Sequence, residues 1–197
     1  MKINVLYGRL AFPEFFTPKA VNDGDKEAYS GTCILVEGKT QLLIDGKRYT
    51  ENLGDVLNKI ADKIATEKWK DKAPAILKQL RAQDKIFLHD GDNKPDYDGY
   101  PGNLYISGRT PTKPKVLRKV DGFLRDVEAH EGLVYGGCYG EFIFDVYAQD
   151  NSYGKRLNAS LKGFRFQEDG DAFGAGAPAK DSDFDLSADE EDEESLA

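Results

Sequence analysis

The sequence predicts a mainly β fold with a helical insertion (β + α), a Greek-key barrel with an acidic tail. Three observations carry this. Strand-like segments outnumber helical ones along the 197 residues. The helical patterns sit together at about 52–81 instead of alternating with strands as a βαβ array requires. Glycines at 132, 136, 137 and 140 mark a bulge or sharp coiling of the kind a small closed barrel needs.

Residues 3–12 alternate loosely and read as the first strand, with Leu6, Leu10 and Phe12 on one face and Val5, Tyr7 and Arg9 on the other. Pro13 is expected to end it, since proline cannot donate to a ladder. Residues 13–28 read as a polar loop with its turn at Asn22-Asp23-Gly24-Asp25. Residues 29–36 form a second strand, and 40–50 a short hairpin around Asp45-Gly46. Leu53, Val56, Leu57, Ile60, Ala61 and Ile64 then recur at three- and four-residue spacing, which is one face of a helix. Asn52 is its expected N-cap, with Asp55 three residues on. A second helix is expected from Pro74 to Arg81, with Pro74 in the first turn, where its missing N–H is harmless. A short strand at 85–89 and a turn-rich loop at 90–102 follow. Strands at 103–109, 115–120, 133–148 and 157–166 complete a domain over residues 1–169. Residues 170–197 are expected to be a flexible tail, too charged to bury anything.

The formal net charge of -8 comes from 27 basic and 35 acidic residues. Nine of the acids, and no base, lie in 181–197, which leaves 27 bases against 26 acids in 1–180. The body is near neutral, so the overall acidity does not argue against an anionic partner. No apolar run approaches the roughly 18 residues of a membrane helix. The N-terminal residues lack a signal-peptide apolar block, so a cytoplasmic location without membrane contact is expected. Cys33 and Cys138 lie far apart and suggest no disulfide framework, and His89 and His130 lack zinc-ligand spacing with them. Catalytic signatures are missing: Gly-x-Ser-x-Gly, the P-loop and Cys-x-x-Cys do not occur, and Gly174-Ala175-Gly176 lacks a third glycine. No enzymatic activity and no cofactor are expected. The carboxylates of Asp90, Asp92, Asp96 and Asp98 could hold Mg²⁺ or Ca²⁺, but Lys94 and Pro95 break the EF-hand pattern, and a solvated loop with Asx turns is the expectation. His130, between Glu128 and Glu131, reads as a surface histidine.

Aromatic and basic residues on the expected strands say more. In 103–109, Leu104, Ile106 and Gly108 read inward, which places Tyr105 and Arg109 outside. Lys113, Lys115, Arg118 and Lys119 follow. In 139–148, Phe142, Phe144, Val146 and Ala148 read as core, leaving Tyr139 and Tyr147 on the other face, and Tyr153, Lys155 and Arg156 lie in the next turn. Arg165 sits between Phe164 and Phe166. Outward rings with nearby cations suit a nucleic-acid single strand, whose bases stack on any ring while Lys and Arg track the phosphates. Tyr105, Arg109, Lys113, Lys115, Tyr139, Tyr147, Tyr153, Lys155, Arg156 and Arg165, with Arg9 and Tyr100, form the candidate DNA-binding set. The alternative is that tyrosines cover a barrel rim and lysines keep it soluble.

Four segments carry a family resemblance. They are Gly8-Arg9-Leu10-Ala11-Phe12-Pro13-Glu14-Phe15-Phe16-Thr17-Pro18 with Ala28-Tyr29-Ser30 after it; His89-Asp90-Gly91-Asp92 with Pro95-Asp96-Tyr97-Asp98-Gly99-Tyr100; Tyr135-Gly136-Gly137-Cys138-Tyr139-Gly140; and Gly154-Lys155-Arg156-Leu157-Asn158-Ala159, with 164–174 beyond it. In this order the sequence resembles the OB-fold single-stranded DNA-binding proteins of tailed bacteriophages, a group long catalogued as a phage domain of unknown function. The resemblance covers about 5–185. It implies an OB-fold barrel that protects single-stranded DNA in replication or recombination in the infected cell. It also implies an acidic tail, here Asp189, Glu190, Glu191, Asp192, Glu193 and Glu194, that recruits replication or recombination proteins. The tail matches in charge and lacks the terminal aromatic of some phage relatives. A homodimer is allowed for. Two other readings stay open: a phage accessory protein acting through its tail on basic protein partners without nucleic acid, and a metal-dependent nuclease using the 90–98 loop.

Overall fold

A computed structural model describes residues 1–20 and 22–174 of the chain. Five of its strands close on one another. β1 (Lys2–Lys19), β2 (Ala28–Ile34) and β6 (Leu104–Thr110) form an antiparallel meander. β6 meets β10 (Gly154–Glu168) in parallel at Gly108 and Ala159, β10 pairs antiparallel with β9 (Tyr139–Asn151), and β9 returns to β1. This is a closed five-stranded OB-fold barrel. Between β2 and β6 lie the hairpin β3 (Leu42–Ile44) and β4 (Lys47–Tyr49), the helices α1 (Leu53–Trp69) and α2 (Ala73–Ala82), and the short β5 (Leu88–Asp90). The hairpin β7 (Lys115–Val120) and β8 (Phe123–Asp126) extends the sheet beyond β10.

One hydrophobic core fills the barrel and continues under the helices. Ile3, Val5, Leu10, Phe15, Cys33, Ile106, Phe142, Phe144, Leu161 and Phe164 from the strands are buried together with Leu57, Ile60, Ile64, Trp69, Leu77 and Leu80 from the helices. The helical spacing of the apolar residues thus becomes the face that joins this core. Trp69 Nε1 donates to Asp150 Oδ2 at 2.8 Å, which ties the end of α1 to β9. Gly140 is required by close approach, because a Cβ there would overlap the Phe164 ring.

The structure corrects several local expectations. β1 does not stop at Pro13; it runs to Lys19 because three register shifts, the last between Glu14 and Lys19, absorb the misfits. The first, between Val5 and Gly8, reverses the face assignment: Val5 joins Ile3 in the core and Leu6 is half-buried. The second, between Ala11 and Glu14, extrudes Phe12 and Pro13 and lets Phe15 turn inward. Phe12 there has φ 48, a left-handed conformation that costs a bulky residue about 1–3 kcal/mol. Asn52 does precede α1, but it is itself left-handed (φ 51, ψ 40) and its side chain makes no cap bond. Residues 133–138 are irregular, following the turn Ala129–Glu131, which the Glu128 and Glu131 side chains close reciprocally. β8 was not foreseen, because its four residues are all exposed and show no alternation. Residues 170–174, expected in the tail, stay against the barrel: Tyr135 Oη donates to Asp169 Oδ1 at 2.9 Å and accepts from Gly170 N at 3.0 Å, and Phe173 N donates to Gly136 O at 2.9 Å. The tail residues Asp189 to Glu194 lie outside the described residues.

Candidate nucleic-acid interface

Strand register fixes which side chains share the outer surface of the barrel. On β6, Ile106 pairs with Cys33 and both are core, so Tyr105 and Ser107 point outward, as the alternation predicts. Tyr105 pairs with Ile34 of β2 and with His89 of β5, and Ile34 in turn pairs with Arg9 of β1, which pairs with Tyr139 of β9. The outer face therefore carries the row His89, Tyr105, Ile34, Arg9, Tyr139. The neighbouring row holds Ser107 and Thr32, whose hydroxyls are 2.9 Å apart, and Ala11.

Half of this face is covered. The 91–103 loop folds back over β6, held by Gly91 N to Asn103 O at 2.8 Å and by the Asp92 carboxylate accepting from Gly102 N at 2.7 Å. It lays Tyr100 on Tyr105 with ring centroids 4.8 Å apart, and His89 stacks on Tyr105 at 4.9 Å. Tyr105 is left 3% exposed and Tyr100 1%. This corrects the expectation that Tyr105 offers an open ring: its side faces outward, but a second small core of Ala11, Ile34, Tyr100, Tyr105 and Phe173 encloses it. Burial first, and then the Asp84 carboxylate, push the Tyr105 hydroxyl up to about 12. The Tyr100 hydroxyl is buried with no hydrogen-bond partner among the described residues. Asp90 Oδ1 accepts from Asp92 N at 2.9 Å, an Asx turn of the kind expected for this loop.

The uncovered half is a groove of about 420 Å³ on the outside of β6, β9 and β10. Arg109, Tyr147 and Arg156, three residues of the candidate set, meet there with Lys85 and His89, and no carboxylate lines it. Tyr147 is 43% exposed, opposite Asn158 on β10. Arg109 has a structural task as well: its Nη2 donates to Lys26 O at 2.7 Å and Lys19 O at 3.2 Å, holding both ends of the β1–β2 loop.

The remaining candidates are scattered. Arg9 lies beside Tyr139 (5.6 Å) and Phe173 (4.1 Å) and donates to Asp171 O at 2.7 Å, so the last described residues cover it. Tyr139 stacks on Tyr7 at 5.1 Å. Burial and the Glu168 carboxylate that accepts from Tyr7 Oη push that hydroxyl well above its ordinary value. Tyr153, 89% exposed, sits on the β9–β10 turn. Lys113 Nζ lies over the Phe16 ring at 5.7 Å. Three cations expected to meet phosphate are already paired. Arg165 donates from Nε and Nη2 to Glu141 Oε2 at 3.0 and 2.7 Å, Lys115 pairs with Asp126 at 2.6 Å, and Lys155 with Asp150 at 2.7 Å. The charge count alone hides this, because each partner comes from an adjacent strand or turn.

Sequence reasoning missed Phe12, Lys85, Lys94 and Tyr97. Phe12 and Tyr97 are among the exposed large apolar side chains, and Lys94 Nζ lies 5.2–5.6 Å from the centroids of Tyr97, Tyr100 and Tyr105. The available signal was the Phe12-Pro13 pair interrupting a strand alternation.

Known proteins carry the same architecture. The single-stranded DNA-binding protein of bacteriophage Enc34 in complex with ssDNA superposes with a TM-score of 0.67 at 24% identity, covering 88% of this chain and 89% of that one. Its C-terminal truncation gives 0.64 at 25% identity, over 87% and 88%. The gp2.5 single-stranded DNA-binding protein of bacteriophage T7 gives 0.52 at 13% identity, over 100% and 98%. "Putative protein p50" of Acyrthosiphon pisum secondary endosymbiont phage 1 is 34% identical over 199 residues, the full length of both chains. Residues 1–196 match the family described as "Enterobacter phage Enc34, ssDNA-binding protein", and the chain belongs to that family.

Proposed function

We propose that this protein binds single-stranded DNA without sequence preference and protects it during phage replication or recombination. It does so by binding and not by catalysis, in the cytoplasm of the infected cell. The observation that carries the reading is the groove in which Lys85, Arg109 and Arg156 flank the exposed Tyr147 with no carboxylate in the lining. An unpaired strand offers what such a surface takes: open base faces for the ring and a phosphate chain for the cations. Membership of a family described as ssDNA-binding supports it. The acidic residues 181–197 serve in this reading as a tether for replication or recombination proteins and as an intramolecular competitor for the groove. Titration of labelled oligo-dT and of a duplex of equal length at matched salt tests the reading. Tighter binding of the single strand is expected, and equal affinity for the two would reject it.

A further inference from the structure

We propose that the cleft between Phe12, Tyr97 and Phe173 is a pocket for one unpaired nucleobase. The proposal deepens the single-strand reading and rests on it. Phe12 carries the argument. It stands at a bulge with φ 48, a region bulky L residues seldom enter, and the following Pro13 favours an extended conformation there instead. Packing does not explain the strain, since the side chain remains 54% exposed. A strained backbone that holds an aromatic ring in solvent is what a ligand site shows, and bulges re-aim side chains toward such sites.

The surroundings fit a base. Tyr97, 48% exposed, meets Phe12 at 5.6 Å and 70°, so the two rings do not cover each other face to face. Together with Pro13, Tyr100, Gly136 and Phe173 they wall a cleft of about 360 Å³. Lys94 Nζ stands 5.6 Å from the Tyr97 centroid, and the Arg9 guanidinium stands 4.1 Å from the Phe173 centroid. Arg9 braces the Phe173 wall, held by Gly137 O and Asp171 O, and Lys94 is left to meet the phosphate of a stacked base. Asp96 and Asp98 also line the cleft. As acceptors they repel phosphate and accept from N–H groups on base edges, the ring N3–H of thymine included, which directs the base inward and the backbone toward Lys94. A chain of ring contacts, Phe12 to Tyr97 to Tyr100 to Tyr105 to His89, joins this cleft to the cationic groove. The two features are thus linked through the buried Tyr100 and Tyr105.

Two substitutions test the pocket. Phe12→Gly removes the ring and relaxes the left-handed backbone, so Tm should hold or rise while oligo-dT affinity falls about 5- to 150-fold with an unchanged salt slope. Phe12→Trp keeps a ring and should bind oligo-dT close to wild type. The protein's one tryptophan, Trp69, is buried away from the cleft, so wild type gives the background emission, and the additional emission of the new indole should be quenched on binding. Phe12→Gly that binds as tightly as wild type overturns the pocket, as does a fall in its Tm or an unquenched Phe12→Trp at saturation. If wild type itself fails to bind oligo-dT, the single-strand reading falls with the pocket; if wild type binds and Phe12→Gly is unaffected, only the pocket falls.

Discussion

Replacing Arg156 by alanine should weaken the salt dependence of oligo-dT binding, whereas replacing Arg165 should leave it nearly unchanged. Both arginines lie on β10 and both look alike in the sequence. Arg156 lines the groove and has no ion-pair partner among the described residues. Each phosphate contact to a single strand adds about 0.7 to the slope of log K against log salt. Between about 0.05 M and about 0.5 M salt, loss of one contact therefore makes the deficit of Arg156→Ala about 5-fold larger at the low end. Arg165 is engaged by Glu141 through two hydrogen bonds, with side chains 30% and 17% exposed. Removing it falls between the loss of an exposed pair, about 0.2–1 kcal/mol, and of a buried one, about 3–5, hence about 2 kcal/mol. For a chain of this size that is a fall in Tm of about 4–8 °C. Fluorescence anisotropy across a salt series, with thermal melting of each variant, measures both effects. Equal reductions in slope for the two variants would refute the assignment of free and paired cations.

Tyr105→Ala should act on stability, losing about 3 kcal/mol and about 6–12 °C in Tm by opening a cavity under the 91–103 loop. Tyr147→Ala should leave Tm unchanged and weaken oligo-dT binding about 5- to 150-fold, read by melting and titration together. The hydrogen bond from Lys155, followed by that from Trp69, holds the Asp150 carboxyl below its ordinary 3.8. A depressed native pKa contributes stability above the unfolded value and loses it as pH falls through the native one. The Tm advantage of wild type over Asp150→Asn should therefore be full at neutral pH and shrink below about pH 4, as a pH series of melts would show. Deleting 181–197 should tighten oligo-dT binding most at low salt, and identical curves for the two lengths at low salt would reject competition by the tail.

The barrel was legible because its strands are long and one face is apolar. Phe142, Phe144 and Val146 alternate cleanly, and the faces of β6 and β9 follow from that period. The helical insertion was legible from Leu57, Ile60 and Ile64 for the same reason, at the other period. What failed was whatever breaks period. Three register shifts in β1 change the phase between Val5 and Gly8, past Ala11 and again past Glu14, so neither the inward set nor the true end of the strand follows from counting. The site was less legible than the fold. Alternation says that Tyr105 faces away from Ile106, but it cannot say that Tyr100, brought by a loop, lies on top of it. Nor does a list of basic residues reveal that Glu141 and Asp126 reach across the ladder to neutralise Arg165 and Lys115.

The seam between β1 and β9 has a kinetic consequence. Ile3 pairs with Phe144, and Lys2 with Asp145, about 140 residues apart in the chain. The meander of β1, β2 and β6 is more local, but the barrel closes only after β9 and β10 are in place. Closing so long a loop costs entropy before any contact offsets it, and topologies dominated by such pairs fold in milliseconds to seconds. During synthesis, β1 must wait with one edge open until residue 145 has been made, leaving Ile3 and Val5 without their β9 neighbours. In that interval a second nascent chain offers the same complement, and the half-built meander is the species most prone to pair between molecules.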